Sequence, residues 1–267
     1  MSLTQHIRQK TKVYQAIAQN LDLNFVKKVI KHHNKRLTRI AHKPVPNTDF
    51  KLAGTSVIYG VRDYIGGEKL WKQTVAGKRF DYPERFPVPS RYVAMALMDG
   101  KVRNTPKLYI DQKRIAGELQ RQLPMDFKST IDDVAQIVES FRSVFPPSLI
   151  NPEVVHLNPT FPCSHLVGGA DANMILGDTL WDIRTTARTA PLDLDTIIQQ
   201  IGYWLLDYGN TYELNQVIWY YSRQQCFFTY DLKLFLADST HQNRVRKDLK
   251  NLLINEQYNN QRLINFC

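Results

Sequence analysis

Apolar positions along the chain follow two periods, helical through the first half and alternating through much of the second. Lys10 to Asn20 and Asn24 to His42 predict helices. Asp49 to Gly66 is apolar at Leu52, Val57, Ile58, Val61, Tyr64 and Ile65, which predicts a buried helix closed by Gly66-Gly67. Lys78 to Ser90 carries three prolines and reads as a loop. Arg91 to Gly100 and Lys113 to Gln122 have the spacing of further helices. Thr130, with Asp133 three residues on, has the form of a helix cap. The stripe Val134, Ile137, Val138 and Phe141 follows, and Pro146-Pro147 should end that helix.

From there the period shortens. Glu153 to Phe161 is a candidate strand. Gly168 to Thr186 then reads as two short strands joined at Gly177-Asp178, with Asp171 on the first and Asp182 and Arg184 on the second. Pro191 and Asp193 open a helix whose core face is Leu194, Ile198, Ile201 and Leu205, with Gly209 placed to close it. Gln216 to Tyr221 and Cys226 to Tyr230 are strand-like, separated by the turn Ser222-Arg-Gln-Gln. The order is helix, three strands, helix, two strands, which predicts an α/β fold with a mixed sheet flanked by helices. The organisation expected is a basic, mostly helical region over 1–127, a core over 128–238 and an appended basic C-terminal helix over 239–267.

Composition narrows the classes. With 267 residues and 43% hydrophobic content, the chain can bury a substantial core as one large or two small domains. No run approaches the ~20 apolar residues of a membrane span, and the start lacks the apolar segment of a secretory signal. Cys163, Cys226 and Cys267 are far apart and odd in number, without zinc or iron–sulfur spacing, so a reducing cytoplasm is the expected setting. Charge is uneven: 24 Lys and Arg face 10 Asp and Glu before Lys128, and 11 face 15 from there on. A basic half beside an acidic one suits a polyanionic substrate such as nucleic acid. Lys27, Lys28, Lys31, Lys35, Arg36 and Arg39 form the densest cation set, either a phosphate-backbone contact or a solvated helix face. The half could equally bind a protein partner or a second copy. The adjacent His32-His33 pair points in different directions on a helix, so surface histidines are expected there.

The candidate chemistry lies in the Gly168–Thr186 run. Side chains two apart on a strand share a face, so Asp182 and Arg184 point the same way, and a regular hairpin register brings Asp171 near them. Two carboxylates held close call for a cation between them. Oxygen ligation suits Mg²⁺ or Mn²⁺ rather than zinc. Asp178 follows the turn glycine and reads as turn chemistry. His165 shares the strand parity of Asp171, as an approach to the metal or as a structural histidine.

These residues carry a resemblance. Asp171, then Asp182-Ile183-Arg184, resembles the bipartite motif of the PD-(D/E)XK nuclease superfamily, with Arg184 where that family has lysine. Gln199 and Tyr203 on the following helix match the Gln-x-x-x-Tyr pattern of its RecB-like branch. The resemblance covers roughly Ser129 to Leu236. It implies a restriction-endonuclease-like core and metal-dependent hydrolysis of phosphodiester bonds, most naturally of DNA in defence, repair or recombination. By the same resemblance Asp171, Asp182 and the Ile183 carbonyl would hold Mg²⁺ or Mn²⁺, with Glu139 as a further acid. Gln199 and Tyr203 would orient substrate or Arg184. Arginine can supply charge to a phosphate but cannot act as a base. The alternative is therefore a catalytically silent nuclease fold that binds nucleic acid or a partner. No phosphate loop, nucleophile signature or dinucleotide fingerprint gives an unrelated enzyme a concrete form.

Overall fold

Ser2, Asp22 and Asp49 each accept a backbone N–H at the start of a helix, and the chain's first half is built on those caps. The computed structural model describes residues 1–67, 74–75, 78–79, 86–104, 112–145 and 154–264. Helices α1 (Leu3–Arg8), α2 (Lys12–Ala18), α3 (Leu23–Arg36) and α4 (Phe50–Gly66) come first. A two-strand ribbon, β1 (Thr74–Val75) and β2 (Lys78–Arg79), precedes α5 (Ser90–Asn104), α6 (Gln112–Asp126) and α7 (Lys128–Val144). Next come β3 (Val155–Leu157), β4 (Met174–Leu176), β5 (Thr179–Arg184), α8 (Leu194–Leu206), β6 (Gln216–Tyr221), β7 (Cys226–Asp231) and α9 (Gln242–Ile264). None of the described helices is long and apolar enough to cross a membrane.

Strands β3 to β7 form one mixed sheet in chain order, with β5 and β6 parallel and the other pairs antiparallel. The parallel step is made possible by α8, which returns the chain across one face. Alternation along β5 then divides the core. Trp181 and Ile183 join Met174 and Tyr220 against α4, α5 and α7. Leu180 joins Ile175, Val217, Trp219 and Tyr221 against α1, α2, α3, α8 and α9. Asp182 and Arg184 share the parity of Leu180, so they face α8. The N-terminal helices thus contribute to the packing on both faces of the sheet.

Several expectations are corrected by tertiary contacts. Thr130 and Asp133 do not cap α7, which starts two residues before Thr130; Thr130 Oγ1 instead accepts from the Asp49 N–H, and Asp133 pairs with Arg223. Helix α3 stops at Arg36 rather than His42, because the N–H groups of Ala41 and His42 donate to the Arg223 carbonyl. Helix α8 ends at Leu206, where Asp207 accepts from the N–H groups of Thr211 and Tyr212, so Gly209 lies beyond it. Helix α9 is integral to the core: Val245, Leu249 and Leu253 are buried, and Arg246 reaches the Trp204 carbonyl. The six-residue α1 was not anticipated; such a short helix forms because Leu3 and Ile7 are buried. Lys78 and Arg79 of the expected loop form β2. Pro146-Pro147 and Glu153 lie outside the described residues.

His33 is not a surface histidine. Its ring is fully buried, stacked on Phe228 at 3.7 Å between centroids and edged by Trp219 and Tyr221. Desolvation, aided by neighbouring His32 and Arg36, pushes its pKa down to about 3. Unfolding restores a value near 6.5, so the unfolded chain takes up a proton that the folded chain refuses. This contribution to stability is complete above pH 6.5 and is lost as the pH falls towards 3. Thermal melts between pH 7 and pH 4 are expected to show a falling midpoint, with a shallower fall in His33→Phe. Equal slopes would assign acid sensitivity elsewhere.

Candidate active site

Strand β5 outruns its neighbour. Pairing with β4 ends at Met174 opposite Trp181, although β5 continues to Arg184 beside β6. Asn173 takes over with its side chain, its Oδ1 accepting from the Ile183 N–H at 2.7 Å. Ile183 presents N–H and carbonyl to the same strand edge, so its carbonyl lies where the β4 ladder has stopped. Buried Arg62 of α4 holds this segment in place, donating to the Asn173 carbonyl at 2.8 Å and the Asn158 amide oxygen at 3.3 Å.

On the α8 face, Arg184 Nε donates to Asp182 Oδ2 at 2.7 Å. Arg184 Nη2 lies 3.4 Å from Gln199 Oε1, and Gln199 Nε2 donates to the Tyr203 hydroxyl at 3.1 Å and to Thr4 Oγ1 at 2.8 Å. One relay therefore runs from carboxylate to guanidinium to amide to phenol. Burial acts to lower the Arg184 pKa, but the adjacent Asp182 carboxylate more than offsets it and the guanidinium stays charged. Burial, then the Asp182 charge, pushes Tyr203 up to about 12, so its phenol keeps its proton near neutral pH. The Asp182 side chain is 8% exposed, and its Oδ1 makes no hydrogen bond among the described residues.

These groups line a cleft of about 390 Å³. Thr4 and Arg8 of α1 form one wall; Phe50, Lys51, Gly54, Thr55 and Ile58 of α4 form the other. Arg8 and Lys51 are exposed and form no ion pair among the described residues. Gln200 is 3% exposed and also lines the cleft, with Oε1 lacking a hydrogen-bond partner among the described residues.

Asp182, Ile183, Arg184, Gln199 and Tyr203 are thus brought together. Asp171 is not on β4: it sits three residues earlier, in a single bridge with Thr160, whose hydroxyl donates to Asp171 Oδ1 at 2.9 Å. It does not line the cleft, although its charge is felt at Tyr203. Glu139 is not brought to the site. Helix α7 packs on the other face of the sheet, and the Glu139 carboxylate is 75% exposed and faces Arg142 at 3.6 Å. Lys27, Lys28, Lys31, Lys35, Arg36 and Arg39 are exposed, and none lines the cleft; Arg39 lies past the end of α3. His165 lies on a 3-10 turn with Nδ1 against the Pro162 carbonyl. Asp178 bonds Thr179 and Asn215 around the turn.

Sequence reading missed Asn173, Thr4, Arg8, Phe50, Lys51 and Gln200. Thr4 and Arg8 are four apart on one helix face, but nothing local says that α1 docks on α8. Asn173 lies two residues past Asp171, a parity that could have marked it.

A divalent ion fits the donors present in a limited sense. Among the described residues no group of three or more His, Cys, Asp and Glu could enclose a metal. Mg²⁺ commonly takes one or two carboxylates and completes its shell with water and substrate phosphate. Asp182 Oδ1 and the Ile183 carbonyl meet part of that demand, and no second carboxylate among the described residues lines the cleft. Set against the fit is Arg184, whose Nε occupies the second Asp182 oxygen.

No protein-family model, curated protein or solved structure matches this chain.

Proposed function

We propose that the protein is a Mg²⁺- or Mn²⁺-dependent nuclease that hydrolyses phosphodiester bonds, with DNA as the favoured substrate. The observation that carries this reading is the Asp182–Arg184–Gln199–Tyr203 relay on the floor of a cleft rimmed by Arg8 and Lys51. The order helix, three strands, helix, two strands, with β5 parallel to β6, supports a restriction-endonuclease-like core. It is the order that the sequence resemblance implies.

Asp182 and the Ile183 carbonyl would hold the ion, with Asp171 as second carboxylate once its Thr160 bond is exchanged. When bound, the ion supplies charge neutralisation at the phosphate and a water acidic enough to attack near neutral pH. Arg184 stays cationic and offers Nη groups to the phosphate oxygens, stabilising charge that builds in the transition state. It cannot take a proton from the attacking water. Gln199 fixes the plane of the guanidinium, and the protonated Tyr203 fixes Gln199. Arg8 and Lys51 draw the flanking phosphates into the cleft.

One observation favours a second reading, a nuclease fold that binds nucleic acid without cutting it. Arg184 holds an Asp182 oxygen that a metal would otherwise take. The test is a cleavage assay on supercoiled, linear and single-stranded DNA in Mg²⁺, Mn²⁺ or EDTA, comparing wild type with Arg184→Lys. Metal-dependent cutting by wild type supports the nuclease. Cutting only by Arg184→Lys supports the binding protein, with Mn²⁺ affinity rising in calorimetry as the Asp182 oxygen is freed. Neither cutting nor salt-sensitive DNA binding would remove both readings.

A further inference from the structure

Phe50 is the one phenylalanine among the exposed large apolar side chains of the described residues, at 53% exposure. It is the first residue of α4, whose inward face is made by Leu52, Ala53, Val57 and Val61. A lone exposed apolar side chain is ordinary. This one lines the cleft beside Lys51, in the wall opposite Arg8. It is also supported from beneath. The fully buried guanidinium of Arg223 lies 5.7 Å from its ring centroid, and Arg223 is itself clamped by Asp133. Asp49 pins the helix start, accepting from the N–H groups of Lys51 and Leu52 at 3.0 Å.

We propose that Phe50 is a base-stacking platform and that the cleft takes an unpaired strand, with Arg8 and Lys51 holding the phosphates on either side of the stacked base. The inference rests on the nucleic-acid reading of the same cleft. An aromatic ring between cations is what an unpaired strand recognises: every base offers a π-face, and phosphates follow on both sides. A base within a duplex has both faces covered by its neighbours and must leave the stack to reach such a ring. The cleft's size agrees. At about 390 Å³ it lies near the lower end for pockets enclosing one small organic ligand, about 300–1,000 Å³.

The test is fluorescence anisotropy in EDTA, with a labelled single strand of about 12 nucleotides and the blunt duplex of the same sequence. Wild type should bind the single strand about tenfold more tightly than the duplex. Phe50→Ala should lose about tenfold on the single strand and nothing on the duplex, with an unchanged salt slope because phosphate contacts remain. Lys51→Ala should lower that slope. Phe50→Trp should keep the affinity, and its indole fluorescence should be quenched by the single strand but not by the duplex. Phe50 is half exposed, so unchanged thermal melts will separate lost stacking from lost fold. Equal binding of both forms, or no loss in Phe50→Ala, would overturn the platform and leave the nuclease reading standing. Absence of salt-sensitive binding to either form would remove both.

Discussion

Asp182→Asn is expected to lower the metal-dependent cleavage proposed above by about a hundred- to a thousandfold or more, while the chain stays folded. Among the described residues that line the cleft the carboxylate is the one acidic group, Arg184 pairs with it, and the proposed ion would depend on its charge. Asparagine keeps an oxygen that can accept from Arg184 Nε, so the guanidinium retains a partner and its plane. Rates on linear and supercoiled DNA in Mn²⁺, beside thermal melts, would check both halves of the expectation. Full activity in a folded Asp182→Asn protein would show that the chemistry lies elsewhere. Asp171→Asn is the informative companion. Asp171 sits outside the cleft on Thr160, so its loss should weaken cutting less than the loss of Asp182.

The largest stability effect is expected at Asp133 and Arg223. Their side chains are 1% and 0% exposed, and Arg223 Nη1 donates to Asp133 Oδ1 at 3.0 Å while Nη2 meets Oδ2. Removing one partner leaves a buried charge without its counter-ion, at a cost of about 3–5 kcal/mol. For a chain of this size that is a fall in Tm of roughly 10 °C. Asp133→Ala should show it in thermal melts. The double variant Asp133→Leu/Arg223→Met should recover most of the loss, because an apolar pair of similar volume removes both charges together. A single variant that melts within two or three degrees of wild type, as for a surface pair, would disprove the claim. The cleft should suffer as well. Asp133 also accepts from the Val45 N–H at 3.1 Å, and the Arg223 turn carries Ser222, which bonds the Arg184 carbonyl and Thr185. Loss of the pair therefore loosens the end of β5 and removes the support beneath Phe50.

How much of this was legible in the sequence depended on how local each cause is. Strands β6 and β7 and their turn were read within one residue, because alternating aromatic and β-branched side chains carry their own period. The Gly177 turn was equally plain, and the backbone there adopts φ +57, which favours glycine. Asp182 with Arg184 and Gln199 with Tyr203 were paired correctly because spacings of two and four define a shared face. The strand position of Asp171 was not correctly read. Register alone would set it opposite Arg184, yet β4 starts at Met174, and Asn173 rather than a backbone group meets Ile183.

The sequence by itself determined the order of elements in the second half, the facing of Asp182 and Arg184, and the excess of positive charge before Lys128. Each follows from side-chain period or from counting, and needs no knowledge of what packs against what. Only the tertiary structure decided that α1 and α4 form the walls of the cleft, and that Glu139 lies across the sheet from Asp182. It also decided that Asp133 is an ion-pair partner rather than a cap, and that His33 is core rather than surface. Those outcomes depend on contacts between residues far apart in the chain. A carboxylate or an imidazole carries no local sign of the neighbour that will bury it, so its role is set by the partner and not by its own position.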